Sequence, residues 1–269
     1  MPYIREFAGR TVVIKYGGHA MEDPALADLF ATDVVLMRLV GIHPVVVHGG
    51  GPQISALMRR LGKEPDFVDG QRVTDAETVD IVRLALVGQV NREVVAAINR
   101  HGSYAVGLSG EDAGLIRARR RDERLGFVGD VDHIEPEILH SLFRDDLIPV
   151  VATIGVDDAG QHYNINADAV AGAVAEALGA EKLVYLTDIH GLYSDVDDPG
   201  SLVSAIDAAG LVALRDSGAL GEGMIPKVAS CLSAVRNGVA RAHILDGRIP
   251  HALLLEFFTR EGIGTMVTP

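Results

Sequence analysis

Two lysines in glycine-rich turns stand near opposite ends of the chain. Lys15 lies in Thr11-Val-Val-Ile-Lys15-Tyr-Gly17-Gly18, and Lys227 closes Gly221-Glu-Gly223-Met-Ile-Pro226-Lys227. Between them come a second strand-to-glycine turn, Val45-Val-Val-His48-Gly49-Gly50-Gly51, and the polar run Asn164-Ile-Asn166-Ala-Asp168. Ammonium groups beside bare backbone N–H groups suit a multiply charged anion such as a phosphoryl group. A carboxylate between two such lysines points to a site where charge is moved as well as held.

These residues need a scaffold, and the pattern around them supplies one. Short β-branched runs recur at Val12–Ile14, Val45–Val47, Tyr104–Leu108, Ile148–Ala152, Leu183–Leu186 and Ala242–Leu245. They read as buried strands of a largely parallel sheet. Helical patterns fall between them at Pro24–Val40, Pro52–Leu61, Ala76–Gly88, Asn91–Arg100, Ala167–Leu178 and Lys227–Asn237, with Asp23-Pro24 as an N-cap and first-turn proline. The alternation predicts an α/β fold. The charge-rich Arg117–Arg124 reads as a solvated hairpin or loop, and Asp195–Gly200 as a loop. A lobe boundary is expected near Gly172–Gly179.

A chain of 269 residues, 48% hydrophobic and 23% charged, buries a full core, as one large domain or two fused lobes. The net charge of −13 argues against nucleic acid or an anionic membrane as partner. The single cysteine, Cys231, sits in an apolar helical run and reads as a buried structural thiol. One cysteine, no signal-peptide pattern and no apolar stretch long enough for a bilayer together predict a cytoplasmic protein.

Read singly, the motifs are weak. Lys15 alone reads as a solvated strand end, Gly49–Gly51 alone as a tight turn or equally a ligand-binding turn, and Asp168 alone as a helix cap or equally an organising carboxylate. Arg72, in Gly70-Gln-Arg72-Val-Thr-Asp75, is either a surface charge or a planar clamp for a carboxylate. The P-loop pattern, the protein-kinase signatures and a dinucleotide Gly-x-Gly-x-x-Gly after the first strand are all missing.

Taken in order, the segments Lys15-Tyr-Gly-Gly, His48-Gly-Gly-Gly-Pro-Gln53, Arg72-Val-Thr-Asp75, Gly88-Gln-Val-Asn91, Gly107-Leu-Ser-Gly110, Gly126-Phe-Val-Gly129, Tyr163–Asp168, Leu186-Thr-Asp188, Gly223–Lys227 and His243–Arg248 resemble the amino-acid kinase family, and within it the acetylglutamate kinases. The resemblance implies a three-layer α/β/α sandwich around a largely parallel central sheet. It implies one kinase domain over 1–269, with an acceptor-binding and dimerisation lobe at 1–175 and a nucleotide lobe at 176–269. The implied activity is ATP-dependent phosphorylation, with Mg²⁺, of the side-chain carboxylate of N-acetyl-L-glutamate in arginine biosynthesis. Lys15 and Lys227 would stabilise the moving phosphoryl group and Asp168 would position them. Gly50, Gly51, Arg72 and Asn164 would bind the acceptor. Gly17, Gly18, Thr187, Asp188, Gly191, Tyr193 and the turn before Lys227 would meet the nucleotide. No protein metal site is expected, and positive charge would also come from helix N-termini after Gly18 and Gly51.

Two positions depart from the family pattern: His19, where a small polar residue is usual, and Glu111, where a lysine is common and the change adds negative charge near the acceptor lobe. The tail from His251 to Met266 is similar to that of arginine-inhibited members, which makes His243, Glu256 and Gly262 candidates for an L-arginine effector site; otherwise the tail reads as an edge strand. The segment Pro2–Phe7 resembles the last turns of a ring-forming helix, so a homodimer is expected rather than a hexamer. The competing readings are a sister kinase acting on carbamate, uridylate, aspartate or glutamate, and a non-catalytic arginine sensor on the same fold.

Overall fold

The computed structural model describes all residues except Met1, Glu22, Val196, Asp197, Ala219, Arg260 and Glu261. Its centre is an eight-stranded sheet. Across the sheet the strands run Ala205–Asp207, Thr265–Thr268, Arg241–Asp246, Lys182–Thr187, Thr11–Tyr16, His43–His48, Ile148–Ala152 and Ala105–Ser109. All neighbours are parallel except Thr265–Thr268 against Arg241–Asp246. The tail strand is therefore antiparallel to its inner neighbour and lies one place in from the edge, which Ala205–Asp207 occupies.

Helices cover both faces, which is why the central strands are continuous apolar runs. Lys182–Thr187 and Ile148–Ala152 are buried along their whole length. Alternate residues serve opposite layers. Val13 and Tyr185 pack with Val170, Val174 and Val228 on one face, and Val12, Ile14 and Val184 with Val34, Met37 and Ile98 on the other. Tyr16 stacks on Phe30 with ring centres 3.8 Å apart, fixing the Pro24–Leu39 helix to the strand that ends in the Lys15 turn. The sheet divides by sequence. Its four strands from residues 11–152 lie on one side and its four from 182–268 on the other, meeting where Thr11–Tyr16 pairs with Lys182–Thr187. The Ala167–Ala177 helix links the halves.

The structure differs from the sequence reading in several places. No helix ends at Gly88. Ala76–Arg83 continues through a seven-residue π-helical stretch, Leu84–Val90, straight into Asn91–Asn99. After Gly18 there is only a short 3₁₀ turn, Gly18–Met21, and the α-helix at Pro24 is capped by the Asp23 carboxylate, which accepts from Ala25 N at 2.8 Å. The helix N-terminus expected to lend charge after Gly18 is therefore already satisfied. A small closed barrel, Ile116–Arg120, Val128–Ile134, Ile154–Val156 and His162–Ile165, was not visible in the pattern. Arg117–Arg124 forms one limb and the turn of its hairpin, with Arg121 paired to Asp130 at 3.2 Å. The Asp195–Gly200 loop lies partly outside the described residues, as does the side chain of His19. No helix among the described residues is long and apolar enough to cross a membrane.

Candidate active site

Lys15, Asp168 and Lys227 converge. Lys15 is the penultimate residue of its strand, Asp168 lies in the first turn of Ala167–Ala177, and Lys227 lies in the first turn of Ile225–Arg236. Lys15 Nζ is 3.3 Å from Asp168 Oδ1, without an aligned hydrogen bond, and Lys227 Nζ donates to Oδ2 at 3.1 Å. Burial alone would raise the Asp168 pKa, but the two ammonium groups outweigh it and hold the carboxyl below its usual range. Asn166 caps the helix by accepting from Asp168 N at 2.8 Å, so the cap role is filled by Asn166 and the Asp168 side chain is left for the lysines. Gly17 leaves room for the lysine: a Cβ there would stand 2.9 Å from Lys15 Nζ and push the ammonium group aside. Gly18 follows it in the same turn.

The second glycine turn adjoins this centre. Gly49 N donates to Tyr16 O at 3.3 Å, and a Cβ on Gly49 would touch Ala167 Cβ at 3.4 Å. A Cβ on Gly50 would stand 2.7 Å from Leu86 Cδ2 and 3.1 Å from Val90 Cγ2. The π-helical stretch thus presses two side chains onto the bare Gly50 backbone, a use typical of such segments near functional sites. The Gly51–Arg60 helix begins there with no side-chain cap. Its position is set by two residues the sequence reading gave no role. Buried His48 holds Gly49 O through Nδ1 at 2.9 Å and receives Asn91 Nδ2 on Nε2 at 3.0 Å, while the same Asn91 amide reaches Val150 O at 2.8 Å. Burial lowers the His48 pKa to about 4, so the ring is neutral and, with this network, carries its proton on Nδ1.

Arg72 is buried, donating to Gly51 O at 3.0 Å and Ser55 Oγ at 2.9 Å, with its guanidinium over the Phe67 ring. No carboxylate among the described residues forms an ion pair with it, and burial, with Arg59 nearby, lowers its pKa. A buried guanidinium bonded to neutral groups keeps its charge uncompensated and can accept an anionic group from outside. Thr74 links it to the barrel: Thr74 Oγ1 donates to Arg72 O and accepts from Asn164 Nδ2 at 3.4 Å. Hydrogen bonds thus join Gly51, Arg72, Thr74 and Asn164 in series, and Asp168 follows Asn164 by four residues. Glu111 does not add free negative charge as expected, because Arg83 Nη2 at 3.0 Å and His162 Nε2 at 2.6 Å both pair with it.

Thr187 ends the strand beside Thr11–Tyr16, and its hydroxyl donates to Asp188 Oδ1 at 3.2 Å. Gly191 and Tyr193 lie further on, in the turn and two-stranded ribbon Leu192–Tyr193 with Leu202–Val203, where Leu192 N is held by Thr265 Oγ1 at 2.8 Å. The adjacent strand ends at buried Asp246, which grips Arg248 at 2.8 Å and His190 at 2.9 Å. All these groups lie at or beyond C-terminal strand ends, where open parallel sheets bind ligands. Among the described residues no three His, Cys, Asp or Glu converge as a metal cage.

His243, Glu256 and the Gly262 turn form a separate cluster. His243 Nδ1 is 2.9 Å from Glu256 Oε1, and Ile263 N donates to Glu256 Oε2 at 3.0 Å. Lys182, absent from the sequence reading, also reaches Glu256 Oε1, at 3.3 Å, and lies over the rings of Phe7 and Phe257. Burial would raise the Glu256 pKa, but its hydrogen bond and the neighbouring positive charge hold it below its usual value, whereas burial lowers that of His243.

Comparison with known proteins identifies the family of the chain. The sequence pattern of the Amino acid kinase family matches residues 10–246. An acetylglutamate kinase from Symbiobacterium thermophilum is 55% identical over 99% of this chain and 94% of its own. One from Moorella thermoacetica is 51% identical over 100% of this chain and 95% of its own. Among solved structures, the N-acetylglutamate synthase from Neisseria gonorrhoeae, complexed with coenzyme A and N-acetyl-glutamate, superposes with a TM-score of 0.86 at 29% identity, covering 100% of this chain. This chain spans only 61% of that synthase. A second structure of the synthase, with coenzyme A and L-arginine, has a TM-score of 0.82 at 27% identity, over 99% of this chain and 63% of that one.

Proposed function

The chain belongs to the amino acid kinase family, and we propose that it performs its chemistry through Lys15, Asp168 and Lys227. The activity is ATP-dependent phosphorylation of the side-chain carboxylate of N-acetyl-L-glutamate, a step of arginine biosynthesis. The single observation behind the residue assignment is one buried carboxylate held between two ammonium groups at 3.3 and 3.1 Å. The acceptor carboxylate has a free pKa of about 4 and arrives ionised, so no base is needed. An acceptor oxygen attacks the γ-phosphorus, the bond to the bridging oxygen breaks, and ADP leaves. The obstacle is repulsion between two anions, together with alignment. Lys15 and Lys227 answer the repulsion, each keeping further N–H donors for phosphoryl oxygens, and Asp168 holds them in register.

Arg72 takes the α-carboxylate of the acceptor, with Asn164 and the N–H groups at Gly50 and Gly51 taking the remaining polar groups. Thr187, Asp188, Gly191 and Tyr193 meet the nucleotide, with Gly17 and Gly18 beneath its phosphates. The halves 1–175 and 176–269 act as acceptor and nucleotide lobes, a reading supported by the four-and-four division of the sheet. Mg²⁺ would be carried in on the nucleotide phosphates, since the Asp168 carboxylate is engaged by the two lysines. Bound there, the ion neutralises phosphate charge.

L-Arginine is the proposed inhibitor, received at His243, Glu256 and Gly262. Its guanidinium must share or displace Lys182 on Glu256. The working assembly is a homodimer joined through the acceptor lobe, checked by light scattering.

The deciding experiment offers N-acetyl-L-glutamate and free L-glutamate with ATP and traps acyl phosphate with hydroxylamine. Product from the acetylated acceptor and little from free glutamate is expected. Equal rates with both would sink the assignment of the acceptor pocket.

A further inference from the structure

Behind the lysine–aspartate centre lies a hydroxyl pair that the transfer chemistry above does not use. Tyr185 is fully buried in the strand Lys182–Thr187, and Ser230 is buried on Ile225–Arg236, three residues after Lys227. Ser230 Oγ donates to the main-chain oxygen of Asp168 at 2.8 Å. Tyr185 O–H in turn donates to Ser230 Oγ and lies 3.3 Å from the same carbonyl. Phenol, hydroxyl and carbonyl form a chain running in one direction.

The chain ends on the residue whose carboxylate receives Lys227 Nζ at 3.1 Å. Two tethers therefore join the Lys227 helix to Asp168: one through the lysine side chain, the other, one turn along, through Ser230 to the backbone. The packing is shaped for the second. A Cβ on Gly172 would stand 2.5 Å from Ser230 Oγ, so the hydroxyl occupies the place a larger residue would take and the two helices close on it.

We propose that Ser230, backed by Tyr185, is a positioning residue for phosphoryl transfer. It fixes the register of the Lys227 helix against the Asp168 helix, keeping both lysines on one carboxylate while the phosphoryl group moves. The proposal rests on the kinase reading above. A purely structural role makes a different prediction. Ser230→Ala with Tyr185→Phe removes both hydroxyls together, and the Asp168 carbonyl keeps its acceptor role within its own helix, so little buried polarity is stranded. A structural role would then lower stability and leave turnover per folded molecule unchanged.

The test uses Ser230→Ala, Tyr185→Phe and the double variant in the full chain. The readouts are kcat, KM for ATP and for N-acetyl-L-glutamate, and the rate at which acetic anhydride acylates Lys227 in the free enzyme, read by mass spectrometry. Ser230→Ala is expected to lower kcat by about tenfold or more with both KM values within about twofold, since small displacements of positioning groups act mainly on the transition state. Lys227 should acylate several-fold faster, because its hold on Asp168 loosens. Tyr185→Phe should act in the same direction more weakly, and the double variant should be no worse than Ser230→Ala, because the hydroxyls act in series. Wild-type kcat and wild-type Lys227 reactivity in folded Ser230→Ala would overturn the proposal. If that variant does not fold, the same two readouts on Tyr185→Phe decide. An inactive wild type would refute the kinase reading, while Lys227 reactivity would still report on the tether.

Discussion

Asp168→Asn isolates the charge at the centre of the site, because it keeps shape and removes only the negative charge. The wild-type side chains are 8% exposed for Asp168, 13% for Lys15 and 15% for Lys227, so solvent screens their interactions weakly. At separations of 3.3 and 3.1 Å and an effective dielectric of about 20, each attraction is on the order of 5 kcal/mol. Desolvation offsets much of that, and breaking a buried pair by neutralising one partner costs about 3–5 kcal/mol. The variant also leaves two ammonium groups repelling each other with no counter-charge between them. The free enzyme should therefore lose about 3–5 kcal/mol of stability, and saturating nucleotide should recover part of it, because phosphates bring negative charge to the same lysines. If about 3–4 kcal/mol of lysine alignment is lost in the transition state, kcat falls by about 10²- to 10³-fold.

The assay is hydroxylamine-trapped acyl phosphate at saturating ATP and acceptor, with thermal unfolding run in parallel with and without nucleotide. The pH dependence separates an organiser from a base. The folded-state pKa of Asp168 lies below its unfolded value. Its stabilisation is therefore complete above the ordinary carboxylate range and disappears as pH falls through the depressed folded value. An organiser gives an acid limb in stability that Asp168→Asn abolishes, with no matching limb in kcat near neutrality. A kcat for Asp168→Asn within about threefold of wild type would refute the reasoning, since the lysines would then be held by other contacts.

Three further outcomes are expected. Arg72→Ala should raise KM for the acceptor by about 10- to 100-fold with a much smaller change in kcat, because a charged hydrogen-bond partner is worth about 1.5–3 kcal/mol and serves the bound acceptor throughout; initial-rate kinetics check this. Burial lowers the His48 pKa to about 4 when folded against 6.5 for an exposed imidazole, so its contribution is complete above pH 6.5 and is lost as pH falls toward 4, by roughly 3 kcal/mol in all; His48→Asn should flatten that part of the denaturation-versus-pH curve. Glu256→Gln should raise the arginine concentration for half-inhibition by about tenfold or more, measured by inhibitor titration, because a guanidinium loses the charged acceptor that pairs with His243.

What the sequence disclosed depended on how local each signal is. The strands at Val12–Ile14 and Leu183–Leu186 were legible because a parallel strand buried on both faces leaves an unbroken apolar run. Lys15, Asp168 and Lys227 were legible because each stands in a short motif at the end of such a strand or the start of a helix. Gly88 misled because a glycine in a helical pattern usually marks an end, whereas here the wide turn of Leu84–Val90 passes through it and sets Leu86 and Val90 on Gly50. The barrel was hidden by its three- and four-residue strands, Ile154–Val156 and His162–Ile165, which are too short to show a period.

The supporting groups were hidden for a different reason. Lys182, Tyr185 and Ser230 act across 74, 45 and 62 residues of separation, on Glu256, Ser230 and Asp168 respectively. No local pattern of residue types marks such partners. Ser230 sits in Val-Ala-Ser-Cys-Leu and Tyr185 in Leu-Val-Tyr-Leu, where both read as core. Only the helix crossing at Gly172 shows that they lie against the residue that holds Lys227. A motif thus exposes the groups that meet a ligand, because the ligand constrains neighbouring residues together. The groups that hold those residues in register are constrained one at a time, by the fold, and become visible only when the helices are docked.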